Sequence, residues 1–172
     1  EEIRADLAKN RPMYRLLNGD VGSGKTIVAL LAALSCHREG YTTVIMAPTT
    51  ILAQQHYASI TQMLKTLDVT VPVSLHTSNS KQHVSDEPQI VIGTHALLFK
   101  DALPRKTALV IVDEQHRFGV VQRQKLLSLT TSQDTHPHYL TMTATPIPRT
   151  LTMAIYGSTN VSVIDEMPPG RI

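Results

Sequence analysis

The chain has 172 residues, of which 42% are hydrophobic and 17% charged, and its formal net charge at pH 7 is +2. This composition is typical of a globular protein, and the length suits one domain with a substantial core. No apolar run approaches the roughly 20 residues needed to span a bilayer, which argues against a membrane protein, while the small positive charge permits contact with nucleic acid without requiring it.

Short apolar runs alternate along the chain with longer segments of helical periodicity, and the first ten residues already form a charged, helix-like segment. Seven strands are predicted, at 14–18, 42–47, 71–76, 89–94, 108–113, 138–144 and 161–165. Two helices show apolar residues at helical spacing, the first at Ile27, Leu30, Leu31 and Leu34. In the second helix, Ile60, Met63, Leu64 and Leu67 are predicted to form the inward face. A third helix is predicted near 148–156. Apolar strands separated by helices are typical of an α/β fold, with a mostly parallel central sheet and helices on both faces.

A glycine-rich segment, GDVGSGKT, follows the first predicted strand and matches G-x-x-x-x-G-K-[ST] at every fixed position. In open parallel sheets, ligands bind at the carboxyl ends of the strands. The glycines let the backbone turn its N–H groups toward phosphate oxygens, and the helix that begins near Lys25 adds the positive end of its dipole. Lys25 would contact the β- and γ-phosphates, and the Thr26 hydroxyl would ligate Mg²⁺. The predicted triphosphate-binding residues are Gly19, Asp20, Val21, Gly22, Ser23, Gly24, Lys25 and Thr26.

Two carboxylates end the apolar strand at 108–113, in the segment LVIVDEQH. Burying an unpaired carboxylate is costly, so Asp113 needs a partner, which could be a metal ion, a basic residue or a bound ligand. Beside a phosphate loop, we expect Asp113 to hold Mg²⁺ through a water and Glu114 to polarise the water that attacks the γ-phosphate. Taken alone, the pair could instead be a strand-end turn or a surface pair.

Five segments occur in the order of the superfamily 2 helicase motifs: GDVGSGKT, MAPTTILAQQH, GTHALL, DEQHRFGV and TATPIPRT. The segments DEQHRFGVVQRQK and VSVIDEMPPGR resemble the RecG family of ATP-dependent DNA helicases in particular, and the resemblance extends over 13–171. It implies a P-loop NTPase fold of the RecA-like type, with ATP and Mg²⁺ as cofactors. Residues 1–172 would then be one helicase ATP-binding domain, the first motor lobe of a larger protein.

The resemblance also implies roles for residues outside the phosphate loop. Lys25, Asp113, Glu114 and His116 would be the catalytic residues, with His116 sensing the γ-phosphate. The residues implied in coupling hydrolysis to DNA are Thr143, Thr145 and Arg149. The residues implied along the DNA backbone are Pro48, Thr49, Gln54, Thr94 and His95. Helix capping explains Thr49 equally well, and a purely structural role explains His95 equally well.

The main functional prediction is the motor lobe of a DNA helicase or translocase that remodels branched DNA in recombination and repair. Its partners would be DNA, a second motor lobe and a DNA-binding wedge domain of the same protein, with no membrane. The single cysteine, Cys36, suits a cytosolic protein. Because an arginine finger would come from the second lobe, the isolated lobe should hydrolyse hardly any ATP. The alternatives are the motor lobe of a transcription–repair coupling factor, a P-loop NTPase acting on small molecules, and a catalytically silent interaction module.

Overall fold

The computed structural model describes residues 1–77, 80–81, 85–94, 97, 104, 106–114, 137–145 and 160–165. Within these residues the helices are α1 (Glu2–Leu7), α2 (Lys25–Arg38) and α3 (Thr50–Thr66). The strands are β1 (Tyr14–Gly19), β2 (Thr42–Met46), β3 (Val73–Thr77), β4 (Ser80–Lys81), β5 (Ile90–Gly93), β6 (Thr107–Asp113), β7 (His138–Thr143) and β8 (Asn160–Ile164). In this part of the chain, no helix combines the length and the apolar character that crossing a bilayer requires.

The strands form one sheet in the order β4-β3-β5-β2-β6-β7-β1-β8. Seven of them pair in parallel, and β4 is antiparallel to β3 at the edge. All seven predicted strands are present, with ends shifted by no more than two residues. The two-residue strand β4 was not predicted, because it lies in a polar segment without apolar alternation. The predicted α/β fold with a mostly parallel sheet is confirmed.

The central strands are buried along almost their whole length, with every residue of β2 and β5 inaccessible to solvent. Because successive side chains of a strand point to opposite faces, both faces of the sheet are covered. Helix α2 packs on β1, β2 and β6, α3 packs on β3 and β5, and the two helices contact each other, so they share one face. The helix predicted near 148–156 lies outside the described residues.

The buried face of α2 consists of Leu30 and several small side chains. Leu30 is fully buried, Leu31 is 54% exposed, and small side chains fill the rest of the contact with the sheet. These small buried residues are Ala29, Ala32, Ala33 and Cys36. Since nearly every residue between Ile27 and Leu34 is apolar, spacing alone could not select the inward face. In α3, the predicted inward face is correct at Ile60 and Leu64, which are buried, and wrong at Leu67, which is 47% exposed.

Arg15 links the first helix to two strands at the amino end of the sheet. Its guanidinium donates to Asp6 Oδ2 from Nε and Nη2, at 3.0 and 2.6 Å, and to Glu2 Oε2 and Ser162 Oγ from Nη1. Arg15 is only 8% exposed. Removing one partner of such a buried pair typically costs about 3–5 kcal/mol, because the other charge stays buried without compensation. This cluster therefore anchors α1 and β8 to β1.

Acid should weaken this anchor. The hydrogen bond from Lys9, and then that from Arg15, lower the pKa of Asp6 from 3.8 to about 2 against the opposing effect of burial. A depressed folded-state pKa stabilises the fold above the ordinary pKa, and that contribution is lost as the pH falls toward the folded value. In urea unfolding, Asp6→Asn should therefore be less stable than the wild type at pH 7, and the difference should shrink between about pH 4 and pH 2. The exposed control Glu39→Gln should follow the wild type, and a pH-independent deficit in Asp6→Asn would contradict the linkage.

Candidate functional site

The register of three adjacent strands brings the predicted phosphate loop and the predicted carboxylates to the same edge of the sheet. Leu17 of β1 pairs with Met142 of β7, and Met142 pairs with Asp113 of β6. Since neighbouring strands lie about 4.8 Å apart, the end of β6 lies about 10 Å from β1. The chain leaves β1 at Gly19 and continues into the loop, so the two motifs face each other across the end of β7.

The glycines of the loop adopt conformations that other residues rarely reach. Gly22 has φ 82° and Gly24, the N-cap of α2, has φ 97°. Gly19 is constrained by space instead, because a Cβ there would lie 2.6 Å from Ser23 Oγ. The Ser23 hydroxyl is buried and has no hydrogen-bond partner within the described residues. Glycine is therefore required at position 19 by the lack of space and favoured at position 24 by the backbone angle.

Lys25 bridges the loop from the first turn of α2. Its ammonium group donates to the carbonyl oxygens of Gly19 at 2.6 Å and Asp20 at 2.7 Å. The backbone N–H of Ser23 also donates to Asp20 O, at 3.1 Å. These bonds hold the loop closed around a positive charge at a helix N-terminus, an arrangement suited to an anion.

Asp113 has a direct partner that the sequence did not reveal. His56 Nε2, on α3, lies 2.7 Å from Asp113 Oδ2, and the two side chains are only 12% and 13% exposed. Of the three partners considered above for Asp113, a metal ion, a basic residue or a bound ligand, the structure shows a basic residue. The only sequence signal was the spacing of His56 from Ala53 and Ile60, which places it on the inward face of α3.

Glu114 follows with an unusual backbone conformation, φ 49°. A non-glycine residue in this left-handed region typically costs about 1–2 kcal/mol. Two hydrogen bonds hold it there: its N–H donates to Met142 O at 2.9 Å, and its Oε1 accepts from the Ala144 N–H at 3.1 Å. The Glu114 carboxylate is therefore hydrogen-bonded to the segment that follows β7.

That segment contains two of the predicted coupling residues. Thr143 is buried at the end of β7, and its hydroxyl accepts a hydrogen bond from the N–H of the exposed Thr145, at 3.1 Å. The resulting turn places Ala144 against Glu114. The other predicted residues of this group, His116 and Arg149, lie outside the described residues.

The predicted DNA-backbone residues differ in accessibility. Thr49 and Gln54 are exposed near the N-terminus of α3, and Pro48 is half-buried. Thr49 Oγ1 accepts a hydrogen bond from Leu52 N at 3.2 Å, so the capping alternative applies to this residue. Thr94 is only 2% exposed. His95 lies outside the described residues.

The oxygen donors at this edge of the sheet are of the kind that fit a magnesium ion. The described residues contain no group of three or more His, Cys, Asp or Glu side chains that could form a metal site by themselves. Mg²⁺ usually takes one or two carboxylates, phosphate oxygens and waters rather than a cage of protein ligands. One carboxylate, Asp113, and one hydroxyl, Thr26 at the start of α2, match that requirement.

Comparison with known proteins points to one group. The family model described as DEAD/DEAH box helicase matches residues 5–154. The ATP-dependent DNA helicase RecG of Aquifex aeolicus is 48% identical over 99% of this chain, which spans 22% of that protein. RecG of Escherichia coli K12 is 46% identical over 99% of this chain and 26% of its own length. The chain thus spans about a quarter of the length of these relatives.

Solved helicase structures are also similar to this chain. The structure of RecG bound to a three-way DNA junction superposes with a TM-score of 0.79 at 39% identity, covering 99% of this chain and 23% of that one. The DUF1998 helicase MrfA has a TM-score of 0.71 at 14% identity, over 94% of this chain and 29% of that one, a likeness of fold alone. The predicted RecA-like fold and the resemblance to RecG are confirmed. The chain belongs to the DEAD/DEAH box helicase family and is similar to its RecG helicases.

Proposed function

We propose that this chain is the nucleotide-binding motor lobe of an ATP-dependent helicase that remodels branched DNA in recombination and repair. The observation that carries the proposal is the strand register, which places the phosphate loop opposite Asp113 and Glu114. The N-terminal end of α3, in the connection from β2 to β3, is exposed and offers a surface for a phosphodiester backbone. The choice of branched DNA rests on the RecG relatives, one of which has been solved on a three-way junction.

In this proposal the phosphate loop binds the triphosphate with little rearrangement. Gly22 and Gly24 already have positive φ angles, so the backbone N–H groups of the loop would surround the phosphates without a change in the loop. Lys25 exchanges the carbonyls of Gly19 and Asp20 for the β- and γ-phosphates. Thr26 and Asp113 would hold Mg²⁺, which neutralises the charge that develops on the phosphate oxygens during transfer.

Glu114 orients the attacking water and accepts its proton. The hydrogen bond from the Ala144 N–H fixes one oxygen of this carboxylate, which limits its rotation. Any change in what Glu114 contacts is therefore transmitted to the turn formed by Thr143 and Thr145. We propose that His116 and Arg149 continue this coupling toward the DNA.

The rest of the full-length protein completes the motor in this proposal. A second RecA-like lobe would provide an arginine finger, which is worth roughly 10³–10⁵ in rate where it is used, and a wedge domain would engage the fork. The isolated lobe should accordingly bind Mg-ATP weakly and hydrolyse it very slowly. Since the relatives are bacterial proteins, we place the activity in the bacterial cytosol, where the DNA lies.

Lys25→Ala should abolish most triphosphate binding. Charge-assisted hydrogen bonds contribute about 1.5–3 kcal/mol each, so the affinity for ATP should fall by at least about tenfold. Titration with a fluorescent ATP analogue measures this directly, and circular dichroism verifies that the fold is intact. Lys65→Ala, an exposed lysine in the last turn of α3, serves as the control and should bind normally. Undiminished binding by Lys25→Ala would contradict the assigned role of this lysine.

Glu114→Gln in the full-length protein should bind ATP normally and turn it over about 10²–10⁴ times more slowly, the usual contribution of a general base. The substitution is informative because the glutamine Oε1 can still accept from the Ala144 N–H, so the local structure is preserved. Steady-state ATP hydrolysis gives the rate, and Glu39→Gln, an exposed residue, is the matched control. Near-normal turnover would remove Glu114 from the role of base.

The proposed function itself is tested by ATP turnover of the full-length protein without nucleic acid and with single-stranded DNA, linear duplex or a forked duplex. We expect DNA to stimulate turnover and the fork to stimulate it most. If turnover is equally slow under all four conditions, the helicase assignment fails and a small-molecule NTPase becomes the better description.

A further inference from the structure

The contact between His56 and Asp113 is not explained by nucleotide binding alone. The metal-linked carboxylate is expected to face the triphosphate, yet its Oδ2 lies 2.7 Å from a histidine that belongs to a different motif. When the carboxylate is ionised it can only accept hydrogen bonds, and His56 Nε2 is then the donor of this bond. Both side chains are largely buried, which makes the bond hard to replace with water.

His56 is held in place by the packing of α3. Ala53 and Ile60, one turn before and one turn after it, are both fully buried in the core. The next residue toward the N-terminus, Gln55, is exposed, as is Gln54. His56 therefore lies at the inner surface of a helix that cannot rotate without exposing its apolar residues, and its imidazole position is set by the helix as a whole.

The same helix begins at the surface proposed to contact DNA. Its N-cap, Thr49, lies two turns from His56, a rise of about 10 Å along the helix axis. An α-helix moves as a rigid element over such a distance. A displacement of the N-terminal end by a bound strand would therefore be passed to the imidazole and, through one hydrogen bond, to the carboxylate of Asp113.

We propose that His56 is a positioning residue that orients Asp113 for the Mg–nucleotide complex and connects it, through α3, to the DNA-contacting end of that helix. Hydrogen-bond partners of metal-ligating carboxylates typically change metal affinity or activity by about 10–100-fold when they are removed. The connection to DNA rests on the proposed function, whereas the orientation of Asp113 does not.

The test compares His56→Gln with His56→Asn in the full-length protein. Both substitutions introduce the same amide, but the glutamine nitrogen can reach the position of Nε2 and the shorter asparagine cannot. The measurements are the affinity for ATP with Mg²⁺ and with EDTA, the Mg²⁺ concentration for half-maximal hydrolysis, and the stimulation of kcat by forked DNA. Gln55→Ala on the exposed side of α3 is the control.

We expect His56→Asn to weaken ATP binding about 10–100-fold in Mg²⁺ but by less than twofold in EDTA, and to require more Mg²⁺ for hydrolysis. His56→Gln should recover most of this loss. In His56→Asn, the stimulation of kcat by the fork should fall while the KM for DNA stays unchanged. Gln55→Ala should match the wild type in all measurements.

Two other results would overturn the proposal. One result is an equal loss of ATP affinity in Mg²⁺ and in EDTA, and the other is equal behaviour of the glutamine and asparagine variants. Either would show that His56 has a structural role only, and the melting temperature without nucleotide would then be lowered as well. If the wild type shows no stimulation by DNA, the proposed function fails together with the connection through α3. The ratio of binding in Mg²⁺ to binding in EDTA still decides whether His56 orients Asp113.

Discussion

The parallel pairing of β7 with β6 on one side and β1 on the other is the constraint on which the site depends. A slip of one residue between β6 and β7 would turn the side chain of Asp113 to the opposite face of the sheet, and a slip between β7 and β1 would displace the loop that follows β1. Burial of β6 opposes a slip that would draw Asp113 from the strand end into the apolar core. The positions of the carboxylates are therefore set by the hydrophobic strands that precede them.

The two carboxylates are consecutive in sequence but are held by different elements. In an extended strand, successive side chains point to opposite faces, so Asp113 and Glu114 could not normally serve the same site. The left-handed conformation of Glu114 ends that alternation, and the Ala144 N–H compensates part of its cost. Asp113 is hydrogen-bonded to α3 and Glu114 to the segment after β7, so the two neighbouring carboxylates depend on different parts of the chain.

The sequence was sufficient wherever the determining pattern was local. The seven parallel strands follow from short apolar runs, and the phosphate loop follows from the spacing of its glycines. The pairing of His56 with Asp113 could not be predicted, because it joins residues 57 positions apart and depends on how α3 lies on the sheet. The exposure of Leu67 was missed because helical spacing does not show where a helix ends, and Leu67 is the C-cap of α3.

The same strand that ends in the phosphate loop is anchored at its other end. Arg15, in the second position of β1, is bonded to α1 and to β8, and β1 is paired along its length with β7 and β8. Under the proposed function, the strand would keep its position when the ammonium of Lys25 exchanges its carbonyl partners for a phosphate. Binding would then cost the rearrangement of one side chain rather than of the loop, because Gly22 and Gly24 already have their positive φ angles. Under the proposed function, a loop anchored in this way would leave the response to nucleotide to the opposite side of the site, where Asp113 and Glu114 are bonded to α3 and to the turn after β7.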